Sequence, residues 1–250
     1  MIRSIVLSLA AAAAISAAPL MLYDGSLGTT PAAQGWFMLA QSGGDGTHAE
    51  TAEGGGTLMT TTGTERAVYS TFSPFALNRS LGYRLSFDLE LDSESHDTND
   101  RAGLSVVLIG SDLYGLEIAF WTDEVWVQND VPIFTHGEGH AYDTTARTTY
   151  TVDVSGSRYT LTAGGVPLIG GLLRNYSAGG LPYMMRNSIF LGDDTYSASA
   201  ASRFYRADAT QLPEPAAWSC MAAALLALGF RHRFRRQRAS TAHKPAMPTA

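Results

Sequence analysis

Tyr83-Arg84-Leu85-Ser86-Phe87-Asp88-Leu89-Glu90-Leu91-Asp92 is the stretch that decides the fold. Apolar and polar residues alternate through it without a break. An extended chain sends successive side chains to opposite faces, so Tyr83, Leu85, Phe87, Leu89 and Leu91 share one side. The pattern predicts a strand with one buried face and one wet face. Shorter runs of similar character predict strands at Gly35–Ala40, Arg66–Ser70, Ala102–Gly110, Tyr114–Trp121 and Glu124–Asn129. Others are expected at Thr149–Val154, Arg158–Ala163, Val166–Ile169, Ser188–Gly192 and Ser202–Ala209. The gaps are rich in Gly, Ser, Thr and Asp, as turns are, and no apolar stripe of helical period interrupts the series. Many short strands with such turns predict an all-β sandwich or barrel over residues 18–212.

Two hairpins sharpen this. From Tyr150 to Leu168 an alternating strand, a Ser155-Gly156-Ser157 turn, a second strand and a Gly164-Gly165 turn make a meander. It looks like the central hairpin of concanavalin A-like (laminin G-like) jelly rolls, a resemblance that implies a two-sheet sandwich. In the second hairpin a two-residue turn at Thr122-Asp123 pairs Trp121 with Glu124, Ala119 with Trp126 and Glu117 with Gln128. Those six then share one face, while Ile118, Phe120, Val125 and Val127 share the other.

That polar–aromatic face is the first candidate site. Glu117 and Glu124 are too far apart for sugar hydrolysis: four ladder positions at about 3.4 Å each give roughly 13 Å. Glycosidase carboxylates need about 5 to 9.5 Å. The face reads instead as a carbohydrate platform, with Trp121 and Trp126 for C–H faces and Glu117, Glu124 and Gln128 for hydroxyls. The alternative is that the tryptophans pack against the other sheet or beneath a covering loop. A second candidate is acidic. Asp92, Glu94, Asp97, Asn99 and Asp100 crowd one loop and Asp193-Asp194 another, offering hard oxygen ligands for a structural calcium ion. A solvated acidic loop explains the same residues, and no EF-hand spacing is present. No cofactor is required on either reading. His136-Gly137-Glu138-Gly139-His140 has ligand types zinc could use, but its two glycines suggest a flexible loop with surface histidines. No Gly-x-Ser-x-Gly, phosphate-binding loop or dinucleotide fingerprint occurs.

Of the 250 residues, 45% are hydrophobic and 16% charged, as expected of one globular domain with extra segments at its ends. Between residues 18 and 215 stand ten arginines, no lysine and 23 acidic residues, a net charge of −13. A body so acidic repels phosphate backbones, which excludes nucleic acid as its partner. The sole cysteine, Cys220, lies outside this body, so the domain must be stable without a disulfide.

The ends read as addresses. Arg3, an apolar run from Ile5 to Ile15 and small residues at Ser16 to Ala18 form a secretory signal peptide over residues 1–17, cut before Ala17 or Ala18. At the other end, Pro213-Glu214-Pro215 precedes fifteen uncharged residues, Ala216 to Phe230. A helix of that length covers only about 22 Å, short of a hydrocarbon core of roughly 30 Å. Arg231, Arg233, Arg235, Arg236 and Arg238 follow and can hold the cytoplasmic side, with residues 239–250 a disordered tail. This ending resembles the PEP-CTERM sorting signal of Gram-negative bacteria, over residues 213–238. The resemblance implies an inner-membrane precursor, processing by an exosortase, and a mature protein at the cell surface or in the exopolysaccharide matrix of biofilms. Membrane contact is then limited to the helix before processing.

Taken whole, the body resembles the choice-of-anchor Y family of sorted surface proteins. The carrying stretches are Leu22–Pro31, Asp92–Gly103, Phe120–Asp130, Phe134–His136 and Phe190–Thr195. The family implies no activity and no functional residues. The expectation is therefore an exported, non-catalytic adhesion or binding module with extracellular polysaccharide as its ligand. The alternatives are a polysaccharide hydrolase or lyase on the same fold, and a purely structural matrix protein.

Overall fold

A computed structural model describes residues 17–212. Residues 1–16 of the expected signal peptide (1–17), the Pro213–Pro215 triplet, the apolar segment, the arginine cluster and the tail lie outside the described residues. In chain order the strands are β1 (Leu20–Asp24), β2 (Phe37–Ser42), β3 (Thr47–Glu53), β4 (Gly56–Thr62) and β5 (Glu65–Phe72). Next come β6 (Tyr83–His96), β7 (Ser105–Ile109), β8 (Gly115–Phe120), β9 (Glu124–Asp130) and β10 (Ile133–Ala141). The last are β11 (Thr148–Ser155), β12 (Arg158–Ala163), β13 (Val166–Leu172), β14 (Ser188–Asp193) and β15 (Ala198–Gln211). Among the described residues no helix is long and apolar enough to cross a membrane.

The strands form two antiparallel sheets. The first runs β13-β12-β11-β6-β15-β4-β3, with β1 also pairing to β15; the second runs β10-β9-β8-β7-β14-β5-β2. The expected two-sheet sandwich is what the chain builds. Its axis is the deciding stretch: in β6 Tyr83, Leu85, Phe87, Leu89 and Leu91 are all buried and alternate with more exposed polar residues. Burying each such side chain contributes about 1.5–3 kcal/mol. The strand itself continues beyond Asp92 to His96 because β6 pairs over its full length with the equally long β15. Phe87 stacks on Tyr150 at 5.6 Å and meets Phe120 of the facing sheet edge-on at 6.3 Å, tying the two layers together.

Both expected hairpin registers are present. Ser155 pairs with Arg158 across the β11–β12 turn, and Ala163 with Val166 across the next. Ala119 faces Trp126 and Ile118 faces Val127, with the Trp121 amide donating to the Glu124 carbonyl. Ile118, Phe120, Val125 and Val127 enter the core between the sheets. Four strands were not expected: β1, β3, β4 and β10. β3 (Thr-His-Ala-Glu-Thr-Ala-Glu) is an edge strand, exposed almost throughout, so it carries no apolar alternation to read. β10 contains the two glycines that suggested a flexible loop. They serve close approach instead, since a Cβ at Gly137 would collide with the Val127 carbonyl and one at Gly139 with the Glu124 carboxylate.

One feature positions the site. Strands β7, β8 and β14, in the middle of the second sheet, are buried at every residue. An antiparallel strand packed on one side only would alternate, so the outer face of this sheet is covered too. The cover comes from the segments that follow β6, β9, β13 and β14. They form smaller apolar clusters there around Val107, Phe190, Tyr176 and Tyr183, and around Ala102, Ala119 and Trp126.

Candidate functional site

Where this cover is incomplete, a cleft of about 330 Å³ opens, with Glu117, Gln128, Tyr183 and Asp194 among its lining residues. Glu117 lies on β8 between the core residues Leu116 and Ile118, so strand alternation turns it to the outer face, where it is 2% exposed. Gln128 on β9 stands beside it. Tyr183 arrives on the segment between β13 and β14, held by ring contacts with Phe134 at 5.0 Å and Tyr176 at 5.5 Å. The Tyr176 hydroxyl in turn donates to the Gln128 carbonyl at 2.6 Å and accepts from the Glu117 amide at 3.3 Å. Asp194 follows directly after β14.

The Tyr183 hydroxyl lies 2.7 Å from Oε2 of Glu117 and 2.8 Å from Oδ2 of Asp194. A phenol has one hydrogen to give, yet it touches two carboxyl groups. Both contacts are hydrogen bonds only if one carboxyl carries a proton and donates it to the tyrosine oxygen. Burial pushes the Glu117 pKa well above the usual carboxylate range, and the charge of Asp194 adds to the rise. Asp194 is also raised by burial, with Arg66 and Arg101 opposing. Burial and the two acids hold the Tyr183 phenol protonated. The arrangement is thus two coupled carboxyl groups, both pushed towards the protonated form, joined through one tyrosine hydroxyl. Gln128 completes the floor: its Nε2 donates to the Asp100 carbonyl at 3.2 Å, while its buried Oε1 has no hydrogen-bond partner among the described residues.

The other expected site residues lie close by but under cover. Trp126 is fully buried, with His136 stacked on its indole at 4.3 Å. Trp121 is half-buried, stacks on His96 at 4.3 Å, and its Nε1 donates to the Arg101 carbonyl at 2.8 Å. Glu124 faces His136 Nε2 at 3.4 Å. The two tryptophans therefore do not present an open aromatic face, because β10 and the segment after β6 lie across it. That is the covering-loop alternative.

The six acids considered for calcium are not gathered into one shell. Asp92 pairs with Arg203 and Glu94 with His96. Asp97 is exposed, and Asp100 accepts from the His136 amide at 2.8 Å. Asp193 turns inward and accepts from the Thr61 hydroxyl at 2.6 Å, so it links β14 to the opposite sheet; burial raises its pKa to about 8. Asp194 belongs to the cleft. Among the described residues no group of three or more His, Cys, Asp or Glu is arranged to hold a metal ion. The zinc-type triplet is dispersed as well: Glu138 binds Arg174 and Tyr159 while His136 lies on Trp126.

Sequence reasoning missed Tyr183, Arg66 and Arg101, none of which sits in a recognisable motif, and assigned Asp194 to the wrong neighbours. Only Glu117 and Gln128, placed on one face by the hairpin register, were foreseeable in the cleft.

No protein-family model matches the chain, and no curated protein matches it in sequence. Solved structures do match in fold. The chain is similar to the conserved carbohydrate esterase of the Shiga toxin-encoding bacteriophage phi24B, with a TM-score of 0.54 at 13% identity over 79% of this chain and 100% of that one. It is similar to part of a sialidase, with a TM-score of 0.50 at 14% identity over 78% of this chain and 18% of the sialidase. A Bacillus subtilis protein of unknown function with a galectin-like fold aligns at 0.48, with 8% identity, over 78% of this chain and 97% of that one. Likenesses at this level concern the fold: the chain is a two-sheet antiparallel sandwich of a kind also found in carbohydrate-active proteins.

Proposed function

We propose that this protein is a carbohydrate-binding or adhesion module on a concanavalin A-like sandwich, and that the Glu117–Tyr183–Asp194 cleft holds its ligand. The observation that carries the reading is the cleft floor. Carboxyl oxygens, a phenol and the unpartnered Oε1 of Gln128 offer hydroxyl-binding groups in a recess, with Phe134 and Tyr196 on the walls. A saccharide presents that complement of hydroxyl edges and C–H faces. The named activities of the esterase and the sialidase make saccharide the class to test first. The purified protein is to be screened on a glycan array beside its Tyr183→Phe variant, which removes the bridging hydroxyl and keeps the ring. Retention on a glycan that the variant loses supports the reading. Equal retention by both proteins, or none by either, refutes it.

One observation favours a second reading, a hydrolase or lyase. Two hydrogen bonds through one oxygen keep the nearest carboxyl oxygens of Glu117 and Asp194 at most about 5.5 Å apart, near the roughly 5–5.5 Å spacing of the carboxyl pair in retaining glycosidases. A proton held between the two groups also suits an acid and a base. Release of new reducing or unsaturated ends from a retained polysaccharide selects this reading over simple binding.

Export and sorting complete the proposal. The signal peptide and the PEP-CTERM-like ending would bring the precursor to the inner membrane, and exosortase would pass it to the surface or matrix. Replacing Pro213-Glu214-Pro215 by alanines should leave the protein in the membrane fraction; unchanged release refutes this part alone.

A further inference from the structure

The arginines of the body show what kind of saccharide fits. Ten arginines face an excess of acid, and six of them are ion-paired: Arg79, Arg84, Arg147, Arg174, Arg203 and Arg206. Of the other four, Arg158 and Arg186 are exposed to solvent, where a guanidinium needs no counterion. Arg66 and Arg101 are partly buried, and both line the cleft. Arg66, on β5, lies over the Tyr196 ring at 4.7 Å, and its guanidinium makes no hydrogen bond among the described residues. Arg101, on the segment after β6, uses Nη1 for the carbonyls of Asp100 and Phe134 at 2.7 and 2.6 Å. Its Nε and Nη2 have no partner among the described residues.

The charge balance of the cleft points the same way. The shared-hydroxyl geometry requires a proton on one of its two carboxyl groups, so two guanidinium ions face one carboxylate. A partly desolvated cation without its own counterion is costly, and an incoming oxyanion removes that cost. It is notable that such a surplus of positive charge sits inside a body of net charge −13.

We propose that the sugar held in the cleft is acidic, a residue bearing a carboxylate or another oxyanion that Arg66 and Arg101 bind. This rests on the carbohydrate-binding reading and narrows it. The oxyanion could be a uronic acid or a sulfate ester, and the test separates them. Binding of the purified protein is measured by titration calorimetry against an oligogalacturonate, its neutral methyl ester, and a sulfated oligosaccharide of equal length. One acidic ligand is expected to bind about tenfold or more tightly than the methyl ester, the size of one charge-assisted contact. Whichever anion binds tighter identifies the oxyanion. Arg66→Gln should remove about that factor for the acidic ligand and change ester binding less than about twofold. Arg66→Lys, which keeps the charge, should restore part of the loss and guards against a folding defect. Tyr183→Phe should weaken every ligand. If the neutral ester binds as well as both anions and only Tyr183→Phe weakens it, the acidic specificity is wrong and the saccharide reading stands. If no ligand binds, both fail.

Discussion

Replacing Asp193 by asparagine should invert the usual sense of a stability change, with an effect set by pH. Asp193 is buried at the end of β14, where its carboxyl accepts from the Thr61 hydroxyl at 2.6 Å and the Thr195 amide at 3.1 Å. Those bonds lower its pKa, but burial outweighs them and raises it from 3.8 to about 8. A carboxyl whose folded pKa is raised favours the folded state while protonated. That contribution is complete below the unfolded value near 4 and is lost as pH rises through about 8. Each pKa unit corresponds to about 1.4 kcal/mol, so the rise is worth roughly 6 kcal/mol in full, of which about 5 kcal/mol is lost by pH 8. Asparagine stays neutral throughout and keeps an acceptor for the Thr195 amide, at a cost of about 1 kcal/mol for the altered Thr61 bond. At pH 4 the variant should therefore match the parent or fall slightly below it; by pH 8 it should be more stable by about 4 kcal/mol. Urea unfolding of both proteins at half-unit steps from pH 4 to 9 measures the difference directly. Glu117 and Asp194 titrate in the same sense but are present in both proteins, so their effect largely cancels. A difference that stays constant across this range would refute the argument, because Asp193 would then ionise as it does in the unfolded chain.

Two further outcomes follow from packing. Trp126→Ala removes a fully buried indole from between His136, Trp121 and Ala119 and should cost about 3–5 kcal/mol in urea unfolding; an unchanged midpoint would place the ring in solvent. Gly139→Ala forces a methyl group against the Glu124 carboxylate and should cost about 1–3 kcal/mol, most of it recovered when Glu124→Ala is added. If the double variant is no more stable than the single one, the close approach is not the reason for the glycine.

The limits of sequence reading are visible residue by residue. Tyr83–Leu91 alternates because one face of β6 meets the opposite sheet, so burial wrote its period into the chain. The hairpin from Gly115 to Asp130 is legible for the same reason, and its register alone brings Glu117 and Gln128 to one face. β3 and β10 left no such mark. β3 buries almost nothing, and β10 spends two positions on glycines that let it approach its neighbours.

The sequence by itself determined the strand periodicity, the all-β class, the acidic charge of the body and the two local hairpin registers. All of these are set between residues close in the chain or by totals over it. Only the tertiary structure decided which face of the second sheet is covered, and thus that Trp126 is buried and the cleft lies elsewhere. It also brought Tyr183 and Asp194 to Glu117, from segments more than sixty residues further along the chain. No local propensity encodes that meeting. It arises when the sheets close and the long connections between strands settle on the face left open.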